Sequence, residues 1–128
     1  MNDPQYLLHC RQLLADFART MTQRTDAMAE TDSLRQLAGA FQQLADDNQS
    51  DLYRVGPSLV DRLFTTYPDF APTLPRELLW FFGGDCLHYM PDDEIALYQQ
   101  LDELRAVAAG RGETLDLRAA RAKLLKLQ

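Results

Sequence analysis

Three observations predict an all-α fold. Apolar residues recur every three or four positions through most of the chain. No stretch sustains the two-residue alternation of a half-buried strand, and most prolines and glycines fall between the periodic segments. The reading is one helical domain over residues 1–128, a bundle or orthogonal array of about six helices around a central helix at 75–90. A chain of 128 residues buries a sizeable core without staples, and 46% hydrophobic with 25% charged residues is a globular rather than a disordered composition.

Asp3-Pro4 opens the first helix, an N-cap residue followed by a proline whose missing N–H costs nothing there. Tyr6, Leu7, Cys10, Leu13, Leu14, Phe17, Ala18 and Met21 follow at helical spacing, with His9, Gln12, Asp16 and Arg19 opposite. The pattern decays over residues 20–32, and Thr31, Asp32 and Ser33 offer caps for the next helix. Leu34, Leu37, Ala38, Phe41, Leu44 and Ala45 make a second stripe, and residues 46–50 read as a stop and turn. A short helical turn at residues 51–55 is expected to break at Gly56-Pro57, where Pro57 opens a helix along Leu59, Val60, Leu63, Phe64 and Tyr67. Tyr67-Pro68 ends that helix, because a residue before proline avoids the helical region. Residues 68–73 then form a loop pinned by Phe70.

The central helix is placed at 75–90 by its composition. At about 100° per residue, Leu78, Leu79, Trp80, Phe82, Cys86, Leu87, Tyr89 and Met90 cover more than half its circumference, so it belongs in the middle of the protein. Gly83-Gly84 is its one local conflict, costing about 2 kcal/mol relative to two alanines. Close packing of another backbone is the expected offset, with close approach of a ligand as the alternative. Met90-Pro91 closes the helix. Asp92, Asp93 and Glu94 then sit at the positive end of the next one, which carries Ile95, Leu97, Tyr98, Leu101, Leu104, Val107 and Ala108 to a stop at Gly110. Asp116 caps a last helix with Leu117, Ala120, Leu124 and Leu127 on one face.

A net charge of −6 argues against affinity for phosphate backbones or anionic membrane surfaces. The charge is unevenly spread. Residues 105–128 hold six cations against two acids, a net of +4, which leaves −10 on the first 104 residues. A basic tail on an acidic body is read either as serving solubility and the dipole of a C-terminal helix or as folding back onto the body or onto a second copy. Direct nucleic-acid binding is not expected, since no aromatic interleaves Arg118, Arg121, Lys123 and Lys126. The longest apolar run, residues 78–82, falls far short of the ~20 residues of a membrane span, and no signal-peptide pattern opens the chain. The expectation is a cytoplasmic protein with two reduced thiols.

The soft metal ligands are His9, Cys10, Cys86 and His88. Adjacent helical residues point ~100° apart and the Cys-x-x-Cys spacing is absent, so no metal and no cofactor is predicted. Asp85-x-x-His88 gives one half of a carboxylate–histidine pair of motifs without its second copy. Cys86 and His88 diverge on a continuous helix; only a break at Gly83-Gly84 would set Cys86 at a helix N-terminus, where a thiolate is stabilised. One constellation remains. Glu77, Phe81, Gly84 and His88 fall at i, i+4, i+7 and i+11, flanked by Gly83 and Asp85, and form a candidate docking strip for a partner or ligand.

The run Leu-Pro-Arg-Glu-Leu-Leu-Trp-Phe-Phe-Gly-Gly-Asp-Cys-Leu-His-Tyr-Met-Pro-Asp-Asp-Glu-Ile at residues 74–95 resembles a small uncharacterised family of Pseudomonas-type bacteria, over residues 74–105. The resemblance implies a bacterial cytosolic protein and brings no activity, cofactor or catalytic residue. The leading expectation is a non-enzymatic interaction or regulatory protein that associates with itself as a homodimer or with another protein. The alternative is a ligand- or metal-binding bundle or enzyme with a pocket at Gly83-Gly84, using Asp85, His88 and Cys86.

Overall fold

Leucine and phenylalanine stripes draw six α-helices together in the computed structural model, which describes residues 3–47 and 51–127. They are α1 (Asp3–Thr25), α2 (Ser33–Asp46), α3 (Leu52–Thr66), α4 (Arg76–Phe82), α5 (Asp92–Gly110) and α6 (Leu117–Leu127). Two 3-10 turns, Ala71–Thr73 and Gly84–Tyr89, flank α4. The architecture is all-α, with no strand among the described residues. None of the helices is long and apolar enough to cross a membrane.

Local chemistry accounts for most of the helix ends. Asp32 caps α2 by accepting from the Leu34 N–H at 2.9 Å, and Asp51 caps α3 by accepting from Arg54 N–H at 3.2 Å. Asp116 does the same for α6 through Ala119 N–H at 3.1 Å. Of the expected turn at 46–50, residues 48–50 lie outside the described residues. The first helix runs a full turn beyond its apolar stripe, to Thr25, whose buried hydroxyl donates to the Met21 carbonyl at 2.9 Å.

The core is continuous. Phe17 of α1 meets Phe41 of α2 edge to face at 5.1 Å, and Cys10, Leu14, Leu37, Leu63, Leu78 and Leu79 are all but sealed from solvent. Short α4 packs on α1, α3 and α5, so the central position expected of this segment holds for residues 76–82. Burial of Leu78 and Leu79 contributes roughly 1.5–3 kcal/mol each. Arg76 ties the start of α4 forward along the chain: its Nε donates to Glu94 Oε1 at 2.9 Å and its Nη2 to the Tyr89 carbonyl at 2.8 Å.

Three sequence expectations are corrected. The central helix does not run through 75–90. Gly83 takes φ 65°, ψ −153° and Gly84 takes φ 52°, conformations that side-chain-bearing residues rarely adopt. These two turn the chain from α4 into a 3-10 segment that lies on α3, where Tyr89 stacks on Phe64 at 4.3 Å. The glycines are not there for backbone packing. A Cβ on Gly83 would come no closer than 3.8 Å to the Trp80 carbonyl, and one on Gly84 would meet open space. Close approach belongs instead to Gly56, where a Cβ would fall 2.4 Å from the Phe82 ring.

The second correction follows from that contact: α3 runs unbroken from Leu52 through Gly56-Pro57 to Thr66. Proline there forfeits one intrahelical bond, and packing of Val60, Leu63 and Leu59 holds the helix across it. Third, the glycine that stops α5 is Gly112 at φ 72°, not Gly110, which is still helical. Glu113 N–H reaches the Ala108 carbonyl at 2.8 Å and Gly112 N–H the Ala109 carbonyl at 3.1 Å, the bond pair of a Schellman ending.

Candidate functional site

The unusual residues of α4 face in two directions, and only one direction gathers other functional side chains. Glu77 and Phe81 lie one helical turn apart, so both project toward α1. Glu77 Oε2 sits 3.0 Å from His9 Nε2, a pairing across 68 residues of chain. Phe81 meets the Tyr6 ring edge on at 6.3 Å and the Tyr53 ring of α3 at 5.3 Å, and continues inward to Phe82 at 5.4 Å. An aromatic row therefore runs from the surface at Tyr53 to the core at Phe82, seated against the bare backbone of Gly56.

Trp80, one position along, points toward α5. Its Nε1–H donates to Asp102 Oδ2 at 3.0 Å, and its ring lies near-parallel to Tyr98 at 6.2 Å. Asp102 also faces Arg105 at 3.7 Å, and the Arg105 guanidinium covers the Tyr6 ring at 4.6 Å from its centre. Tyr6, Leu7, Tyr53, Trp80, Phe81, Asp102 and Arg105 thus line one hollow of about 350 Å3. Its rim keeps apolar surface in water: Tyr53 is 59% exposed and Leu7 38%.

Burial dominates the electrostatics of the tyrosine and the two thiols of this region. Burial, reinforced by the charges of neighbouring acidic groups, holds the Tyr6 hydroxyl far above its ordinary range. Burial pushes the Cys10 thiol up to about 12, although a hydrogen bond with Tyr6 pulls the other way. Cys86 rises to about 11, from burial first and then from the charges of Asp85 and Asp61. The break at Gly83-Gly84 does exist, yet Cys86 beyond it is buried, and burial favours its protonated form. His9 is oriented by Glu77, but no hydroxyl or thiol is hydrogen-bonded to it among the described residues. Nor do three His, Cys, Asp or Glu side chains converge among those residues as a metal site would need.

The predicted strip is therefore divided. Glu77 and Phe81 join the α1–α3–α4–α5 corner. Gly83 and Gly84 serve the turn, and Asp85 and His88 stand exposed on the 3-10 segment beyond it. Neither hollow at this end of the molecule draws a residue from 83–88. Sequence reasoning missed Tyr6, His9, Tyr53, Trp80, Asp102 and Arg105 as one group. The usable signal was Tyr53, an aromatic at the edge of the Leu52, Leu59, Val60 and Leu63 stripe.

The model of the PA2817-like family matches residues 3–128. The chain belongs to that family. The PA2817-like match carries the resemblance seen over residues 74–105 across almost the whole chain, and the family is named after a Pseudomonas aeruginosa locus. No curated protein and no solved structure matches this PA2817-like chain.

Proposed function

We propose that this PA2817-like chain is a non-enzymatic interaction protein that pairs with a second copy of itself through the Tyr53–Phe81–Leu7 corner. The observation that carries the reading is a partly exposed aromatic row with an arginine beside it, rooted in the core at Phe82. Tyr, Trp and Arg anchors of this kind dominate binding energy at protein interfaces, and rigid seating lowers the entropy cost of using them.

Light scattering after size exclusion tests the proposal. The wild type is expected at about twice 14.6 kDa, and Tyr53→Asp at the monomer mass with an unchanged helical spectrum. Loss of a central aromatic anchor costs about 2 kcal/mol or more, a weakening of at least about 30-fold. A wild type that stays monomeric at 100 µM, or a Tyr53→Asp variant that remains dimeric, overturns it.

A further inference from the structure

A second concavity lies on the other side of the His9–Glu77 pair, and its chemistry differs from that of the aromatic corner. α6 is held mainly through Leu117, with Ala120 and Leu124 only half buried. Between α6 and the α1–α5 surface runs a groove of about 480 Å3. Its walls are Leu13, Leu101, Leu117 and Leu125, the last 49% exposed, and Arg118 and Arg121 stand on α6 at i and i+3 along it.

The lining carries two guanidinium groups against one carboxylate, Glu77, which already faces His9 at 3.0 Å. This local positive surplus comes from α6, in the basic end of a chain whose net charge is −6. Arg118 has no ion pair among the described residues, and Arg121 lies 5.9 Å from the centre of the Tyr98 ring. Guanidinium forks suit planar anions, and leucine walls suit an alkyl chain. A groove of this volume is in the range of small-ligand sites, roughly 300–1,000 Å3.

We infer that this groove binds a single-chain amphiphile with a carboxylate head, of the fatty-acid type, its head on Arg118 and Arg121 and its chain along Leu13, Leu101, Leu117 and Leu125. The surplus of one positive charge favours a head of one negative charge. A phosphate monoester, at about −1.5 to −2, would overcompensate it.

Calorimetric titration of the full chain with octanoate, decanoate, decanol and decyl phosphate, all below their micellar range, tests this. Each added methylene should tighten binding by about two- to fourfold in a half-open groove, so decanoate should exceed octanoate by about 4- to 16-fold. Decanol, lacking the charge, should bind at least about tenfold more weakly than decanoate. The double variant Arg118→Glu/Arg121→Glu should lose decanoate by at least tenfold while leaving decanol unchanged. Ala122→Trp, at an exposed position on the groove, should weaken both. Melting curves matching the wild type keep these results interpretable, since Arg118, Arg121 and Ala122 are all exposed. Tyr53→Asp should bind decanoate as the wild type does, which separates this inference from the dimer reading. Equal affinity for octanoate and decanoate, decyl phosphate binding tighter than decanoate, or an unaffected double-arginine variant overturns it.

Discussion

Gly83→Ala and Gly84→Ala give the sharpest test of the fold, because two structural readings predict opposite signs. Inside a continuous helix each substitution would stabilise the protein by about 1 kcal/mol. In the observed turn Gly83 holds φ 65°, ψ −153°, a corner of backbone space that costs a side-chain-bearing residue about 1–3 kcal/mol. Nothing else opposes the methyl group, since its nearest neighbour would be the Trp80 carbonyl at an ordinary 3.8 Å. Alanine also restricts the unfolded chain, which returns about 0.4–1 kcal/mol. The net expectation for Gly83→Ala is a loss of about 1–2 kcal/mol.

Gly84, at φ 52° in open space, should lose about 0.5–1 kcal/mol on becoming alanine, and less on becoming asparagine, which tolerates the left-handed region. Urea unfolding reads these values directly, as a midpoint lowered by about 0.5–1 M for Gly83→Ala at unchanged slope. The turn also positions Tyr89 for its stack on Phe64 and its 2.5 Å hydrogen bond to Asp61, so loosened packing of Tyr89 should accompany the loss. A raised midpoint in either alanine variant, or added helical signal in the double variant, would refute the turn.

Two further predictions follow from burial. Gly56→Ala should destabilise by about 1–3 kcal/mol despite alanine's helical preference, because its Cβ would fall 2.4 Å from the Phe82 ring; adding Phe82→Leu should recover part of the loss in the same urea assay. Stability should also fall in alkali. Below pH 9 the thiols of Cys10 and Cys86 are protonated in both states and their contribution is constant. Above it the unfolded chain ionises first, near 9.0, while the folded thiols hold out to about 12 and about 11. Each thiol then removes roughly 1 kcal/mol per pH unit until its own folded value is reached. Urea midpoints in reductant from pH 8 to 11 should decline less steeply for Cys86→Ala, and an identical slope would count against a buried neutral thiol.

Much of the helical framework was legible in the residues. The stripes of α1 and α2 mark most of their buried faces, whereas that of α5 does so only in part, since Leu97, Tyr98, Leu101 and Ala108 are buried but Leu104 and Val107 are exposed; Asp32, Asp51 and Asp116 mark three starts through short-range hydrogen bonds. Composition likewise showed that the region around Leu78 and Leu79 must be central, because so much apolar surface has nowhere else to go. Periodicity could not show whether Gly83-Gly84 is a costly stretch of helix or a turn. Both glycine conformations are open to the isolated chain, and only the packing of residues 84–89 on α3 selects between them. The same holds for Gly56-Pro57, which reads as a break locally but stays helical because Leu59, Val60 and Leu63 pack into the core across it.

The candidate sites belong almost wholly to the tertiary structure. His9 and Glu77 stand 68 residues apart, and Trp80 and Asp102 stand 22 apart; no spacing rule within one helix joins either pair. By itself the sequence determined an all-α chain, the identity of most helices, an acidic body with a basic end, and a segment at 74–94 that had to be central. The tertiary structure alone decided that this segment is a short helix and a glycine turn, that its Glu77 and Phe81 face α1, and that its Asp85 and His88 are left outside. The physical reason is range. Caps and stripes are set by residues within a few positions of one another, whereas a site is assembled from side chains that meet only after the core has formed.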